Sequence, residues 1–138
     1  MSTRSLTFVT ENGSLPIICM YRQSDGYPSG HGKELAEFLH PIKIVNGLGM
    51  SDPATVANGA GCLAAQIVAH FKYGPGGVYI EHANKWKDCG QEYEYWVDVD
   101  GEQIQLSVYD VLSLRNKKLL YRGHTDQADF LTWFLEKE

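Results

Sequence analysis

The sequence predicts an α+β domain built on a largely antiparallel sheet, and three observations carry that expectation. Two segments read as β-hairpins, two helical patterns lie between them, and an amphipathic pattern closes the chain. In the first hairpin, "RSLTFVTENGSLPIICMYRQ", the pair Asn12-Gly13 suits a two-residue turn whose central positions need positive φ. Pairing about it puts Leu6, Phe8, Leu15, Ile17, Cys19 and Tyr21 on one face, the expected buried one, and turns Arg22 to the other side.

The second hairpin, "QEYEYWVDVDGEQIQLSVYD", turns at Asp100-Gly101 in this reading. Val97 then lies opposite Ile104, Tyr95 opposite Leu106 and Tyr93 opposite Val108, so one face is apolar. The other face holds Glu94, Asp98, Gln103 and Gln105, with Trp96 as the exception. Between the hairpins, "HGKELAEFLH" aligns Leu35, Phe38 and Leu39, and "DPATVANGAGCLAAQIVAHFKYG" aligns Leu63, Ile67 and Phe71 before Gly74-Pro75 stops the helix. Small residues elsewhere on that second helix would allow burial on several sides. "GGVYIEHA" reads as a strand, and "KKLLYRG" is a candidate for another. In "HTDQADFLTWFLEKE", Thr125 or Asp126 is the expected cap, with Phe130, Phe134 and Leu135 on one helical stripe.

Composition narrows the function classes. The 138 residues suit one domain with a real core, at 43% apolar and 12% aromatic content. A net charge of −5 argues against a general electrostatic grip on nucleic acid. No apolar run has bilayer-spanning length. Cys19, Cys62 and Cys89 form no CxxC pair, and no charged-then-apolar leader opens the chain, so a reduced cytoplasmic protein is expected.

The stretch "YRQSDGYPSGHGKELAEFL" concentrates chemistry at a join between strand and helix. Helix N-termini present unpartnered N–H groups and partial positive charge, a natural place for an anion. Gly30 and Gly32 would permit close backbone approach, while Arg22 could grip phosphate or carboxylate with paired hydrogen bonds. His31 and Lys33 add donors, Tyr21 or Tyr27 could stack on a base or ribose, and Asp25 could accept from ribose hydroxyls or hold the loop. The bland alternative is an ordinary polar turn.

Two Asn-Gly steps, Asn46-Gly47 and Asn58-Gly59, suggest turns that would oppose this first loop across a pocket, or glycines that serve only helix packing. Neither G-x-G-x-x-G nor a phosphate loop ending in Lys-Ser/Thr is present. Asn84, Lys85 and Trp86 mix hydrogen-bonding and stacking groups in a second candidate contact segment, and Arg122 belongs to the basic run "RNKKLLYRGH" that could add positive field. Cys62 near a helix start, with a histidine elsewhere, has the ingredients of a thiol hydrolase, although its apolar neighbours favour a buried structural thiol. His82, Asp88 and Cys89 lack the spacing of a metal site, so no metal, cofactor or catalytic residue is assigned.

The string "YRQSDGYPSGHGKELAEFL", followed by "IVNGLG", "NGAGCLAAQIVAHFK" and "GPGGVYI", resembles a family of small proteins of tailed phages and prophages, over about Tyr21 to Tyr95. The resemblance implies viral origin and action in the host cytoplasm, and it carries no catalytic residues. Small phage proteins of this kind are often accessory or counter-defence factors. The expectation is a protein that holds a small anionic ligand, a nucleotide or an ADP-ribose-type signal, without turnover. The alternatives are a Cys62/His thiol hydrolase or His31-dependent phosphoesterase, and a protein-binding inhibitor or minor virion component using Trp86, Trp96 and Trp133. An edge strand or the polar hairpin face could support a homodimer.

Overall fold

A computed structural model describes residues 2–47, 54–84, 89–113 and 115–137. In chain order these hold β1 (Ser5–Glu11), β2 (Ile18–Arg22), a π-helical turn (Pro28–Gly32), α1 (Lys33–Leu39), β3 (Lys43–Val45), β4 (Val56–Asn58), α2 (Gly59–Phe71), β5 (Val78–Glu81), β6 (Tyr93–Asp100), β7 (Gln103–Ser113), β8 (Asn116–His124) and α3 (Thr132–Leu135). Among the described residues six strands form one sheet in the order β5-β2-β1-β6-β7-β8, and β3 and β4 form a small parallel pair. Within the large sheet only β1 and β6 run parallel; the other neighbours are antiparallel. The architecture is α+β.

Both hairpins keep the expected faces and shift their register by two residues. Asn12 and Gly13 do take positive φ, at 52° and 69°, and Ser14 N–H closes their turn onto Glu11 O. That turn is nevertheless tied to β6, through Asn12 N–H to Val99 O and Gly13 N–H to Asp98 Oδ1, and β2 starts only at Ile18. Leu6 therefore faces Tyr21 and Phe8 faces Cys19. Leu15 and Ile17 precede the ladder and are exposed, contrary to expectation.

In the second hairpin Asp100 pairs with Gln103, Val97 with Leu106 and Tyr95 with Val108, and the loop is Gly101–Glu102. Glycine at the first loop position supplies φ of +61°, and the shift gains an apolar pair, Val99 with Ile104. A two-residue slip leaves side-chain parity unchanged, so alternation alone could not choose between the registers.

The parallel pairing of β1 with β6 buries β1 on both faces, where one buried face was expected. On its inner side Val9 and Met20 join Tyr95, Val97, Leu106 and Val108 beneath the helices. Leu35, Ala36 and Leu39 of α1, the stripe Ala60, Leu63, Ala64, Ile67 and Phe71 of α2, and Phe130 and Phe134 complete that core. On the outer side Leu6, Phe8 and Cys19 are sealed by Tyr21, Cys89 and Trp96. Trp96 breaks the polar pattern of its face because its ring stacks on Phe8 at 4.1 Å.

Two helix expectations need correction. α2 buries one face only, and its small residues Gly61, Cys62, Ala65 and Ala69 are exposed. The C-terminal helix is a single turn, Thr132–Leu135, with Phe130 ahead of it and Leu135 exposed. Neither Thr125 nor Asp126 caps it; buried Thr125 donates its N–H to Ile104 O and extends the sheet edge. Among the described residues no helix is long and apolar enough to cross a membrane.

Candidate functional site

Arg22 ends β2 on the inner face, opposite in parity to Tyr21, where the start of α1 and the end of α2 converge. Its side chain is 16% exposed and its guanidinium has defined neighbours on several sides. One nitrogen lies 3.1 Å from His31 Nδ1, and the pair of terminal nitrogens meets the Glu34 carboxylate at 3.2 and 3.5 Å. Asp25 Oδ2 stands at 4.0 Å, and the guanidinium carbon lies 5.7 Å from the centre of the Phe71 ring.

His31 is fully buried between Phe71 and Tyr95, with ring centres at 4.6 and 5.0 Å. Arginine has no acceptor, so Nδ1 must accept from Arg22, and the imidazole is the neutral tautomer with its proton on Nε2. Nε2–H therefore donates to Thr7 Oγ1 at 2.8 Å. Burial, and then the Arg22 charge, push the His31 pKa down to about 3. Both ring nitrogens are engaged, so His31 orients Arg22 and is not placed to grip a phosphate itself. This corrects the contact role expected for it.

The local backbone explains the glycines. Asp25 takes φ of 59°, and the π-helical turn that follows donates Gly30 N–H and Gly32 N–H to Tyr27 O and His31 N–H to Asp25 O. A Cβ on Gly30 would lie 2.5 Å from Asp25 O, and one on Gly32 would lie 3.1 Å from Tyr95 Oη and Cε1. Tyr95 in turn donates to Gly26 O at 2.7 Å. The close approach that Gly30 and Gly32 permit is thus to the protein's own groups, and the N–H groups of Gly30, His31, Gly32 and Lys33 already have backbone acceptors. The expected anion seat at this helix start is absent, and Gly32 is a packing residue.

A cavity of about 230 Å³ opens in front of Arg22, bounded by Ser24, Glu34, Phe71, Tyr73 and the loop Gly74-Pro75-Gly76-Gly77. Pairing of Arg22 with Val78 brings this loop to the arginine, and Gln23 N–H to Gly77 O anchors it. Lys72 Nζ donates to Gly76 O and Val78 O, at 3.1 and 2.6 Å, and holds the turn from the helix side. Gly76 and Gly77 have φ of 77° and 75°, which glycine adopts without strain. Tyr73, at 95% exposure, stands on the rim. Sequence reasoning read "YGPGG" as a helix stop followed by a strand; the glycine pair at the start of a strand was the available signal that the loop also shapes a cleft.

Other expected site residues lie elsewhere. Tyr21 faces the outer side, where its ring meets Tyr79 at 5.9 Å. Tyr27 is exposed and donates to Asp25 Oδ1, whose charge raises the Tyr27 pKa. Asn46 and Asn58 sit at the opposite end of α2, where Asn58 Oδ1 accepts from Gly47 N–H; the 13-residue helix separates them from Phe71 by roughly 20 Å. The two predicted glycine loops therefore do not face one another across this cavity. Asn84 is exposed beyond the end of β5 that points away from Arg22. Lys85 and Trp86 lie outside the described residues. Arg122 is on the outer face, four strands from β2, donating to Ser107 Oγ and Tyr109 Oη. It adds no local charge to the Arg22 cleft.

Among the cysteines, Cys62 departs from expectation and Cys19 lies on a buried face as expected. Cys62 is exposed, with its thiol near Gln66 Oε1 at 3.3 Å, whereas burial pushes the Cys19 thiol up to about 12, helped by Cys89, Glu81 and Glu94. Of the residues His82, Asp88 and Cys89, which lack metal-site spacing, Asp88 lies outside the described residues. Among the described residues no group of three His, Cys, Asp or Glu could hold a metal ion. A larger groove of about 520 Å³ runs between α1 and α2, past Phe38 and His70, but no Lys or Arg lines it among the described residues. Of these two cavities the Arg22 cleft is the smaller and the one lined by an anion-binding side chain. Compared with models of known protein families, with curated proteins and with solved structures, the chain matches none.

Proposed function

We propose that this chain is a phage accessory protein that binds and sequesters a small anionic ligand of the nucleotide or ADP-ribose class in the host cytoplasm, without turning it over. One observation carries the reading: Arg22 is mostly buried at the base of a cleft, oriented from behind by a neutral histidine that cannot donate to it. An arginine held in this way keeps its terminal N–H groups directed at whatever occupies the cleft, and paired hydrogen bonds to phosphate or carboxylate are its strongest interaction. The net charge of −5 makes the attraction local instead of a long-range field. Tyr73 at the rim takes the stacking role first assigned to Tyr21 or Tyr27. Sequestration is favoured over hydrolysis because His31, buried and doubly hydrogen-bonded, has no nitrogen left for proton transfer.

The test is native mass spectrometry of the purified protein, heat release and mass identification of what it holds, then calorimetry with ADP-ribose and with AMP. An intact released nucleotide is the expected result. Arg22→Ala should weaken binding by about 1.5–3 kcal/mol, the range of a charge-assisted hydrogen bond, with the fold checked by circular dichroism and Arg22→Lys as the milder variant. Unchanged affinity removes Arg22 from the site. A hydrolysed ligand overturns sequestration, and a protein that binds neither probe but captures a host or virion protein overturns the small-ligand reading.

A further inference from the structure

From the geometry around Arg22 we infer that Glu34 is an exchangeable internal occupant of the anion site: its carboxylate holds the arginine in the empty cleft and is displaced when a ligand presents two anionic oxygens. The inference rests on the binding function proposed above and specifies how that site is regulated. Two oxygens of Glu34 meet two nitrogens of Arg22, at 3.2 and 3.5 Å, so the carboxylate already occupies the position that an incoming anion needs. The two partners are not equally held. Arg22 is 16% exposed and backed by His31 and Phe71, whereas the Glu34 side chain is 49% exposed and projects from the first turn of α1. Exchange therefore moves the glutamate and leaves the arginine in place.

The arrangement also restricts the ligand. A neutral molecule gains nothing by replacing a carboxylate on a guanidinium, and Asp25, 4.0 Å from the same guanidinium, adds a second negative charge that the ligand must outcompete. The chemistry selected is a compact two-oxygen anion, a phosphate or a carboxylate.

Glu34→Gln removes the competing charge, and Glu34→Ala also removes the hydrogen bonds. Binding is measured with inorganic phosphate and, separately, with acetate, which distinguishes the two anion classes, and with ADP-ribose as the nucleotide-sized probe. Both variants should bind the preferred anion more tightly, Glu34→Gln by about fivefold if the half-exposed pair is worth about 1 kcal/mol. The gain should vanish when Arg22→Ala is added, and the Glu34 carboxyl carbon signal should move on titration of the unmodified protein. Unchanged or weaker binding in both variants, with binding still dependent on Arg22, overturns the inference and leaves the proposed function standing. No binding in any form of the protein overturns both.

Discussion

Each face of the sheet buries an ionisable side chain with no solvent exposure, His31 on the inner face and Glu94 on the outer, and the two are accommodated in opposite ways. His31 lies against an arginine and is kept neutral, since a second positive charge there would be both desolvated and repelled. Glu94 is met by Lys117 at 2.9 Å, by Trp96 Nε1–H at 3.1 Å and by Gln91 Nε2–H at 3.2 Å. The outer cluster surrounds its charge with donors and closes over it. The inner cluster leaves the charge on Arg22, facing a cavity, with a half-exposed carboxylate as partner. Burial of an ionisable group is thus common to both faces, and what separates a candidate site from a structural pair is whether the charged member has an exchangeable partner.

The largest expected effect tests the closed side of this comparison. Lys117→Met strands the Glu94 carboxylate without its cation and should lower stability by about 3 kcal/mol, the lower end for a broken buried pair, read from urea unfolding at pH 7. A loss below about 1 kcal/mol would mean that the Trp96 and Gln91 donors suffice, and the contrast with Arg22 would weaken.

The next effect concerns the neutral histidine. With a folded pKa of about 3 against an unfolded value of 6.5, the unfolded chain takes up a proton that the folded chain refuses. The His31 contribution is therefore present above pH 6.5 and is lost as the pH falls toward 3, by about 2 kcal/mol between pH 8 and pH 5. Unfolding curves at those two pH values, compared with His31→Gln, isolate this component; an identical pH dependence in the variant would show that His31 takes up its proton as readily in the fold as in the unfolded chain. The smallest effect separates the two arginines. Arg122 donates to the neutral hydroxyls of Ser107 and Tyr109 on the other face, so Arg122→Ala should change ADP-ribose affinity by less than about twofold, a fraction of a kcal/mol. A loss equal to that of Arg22→Ala would place the ligand on the outer face.

Much of the local order was legible in the chain. Alternation assigned Tyr95, Val97, Leu106 and Val108 to one buried face, and Arg22 to the face opposite Tyr21, because strand parity survives a two-residue slip. Helical spacing identified Leu35 and Leu39, then Leu63, Ile67 and Phe71, because each stripe is specified within its own segment. The candidate site was legible only in part. Arg22, Asp25 and His31 were singled out, but Glu34, Phe71 and Tyr73 were not, since nothing in their own neighbourhoods marks them as partners of residue 22.

The sequence by itself determined the α+β class, the facing of the hairpin strands and the two central helices, all consequences of short-range periodicity and turn chemistry. Tertiary structure alone decided the parallel pairing of β1 with β6, the double burial of β1, the exposure of Cys62, and the meeting of Arg22 with Glu34 and the glycine loop at 74–77. Those features depend on contacts between segments distant along the chain, which compete through packing and burial, and no local pattern encodes the winner of that competition.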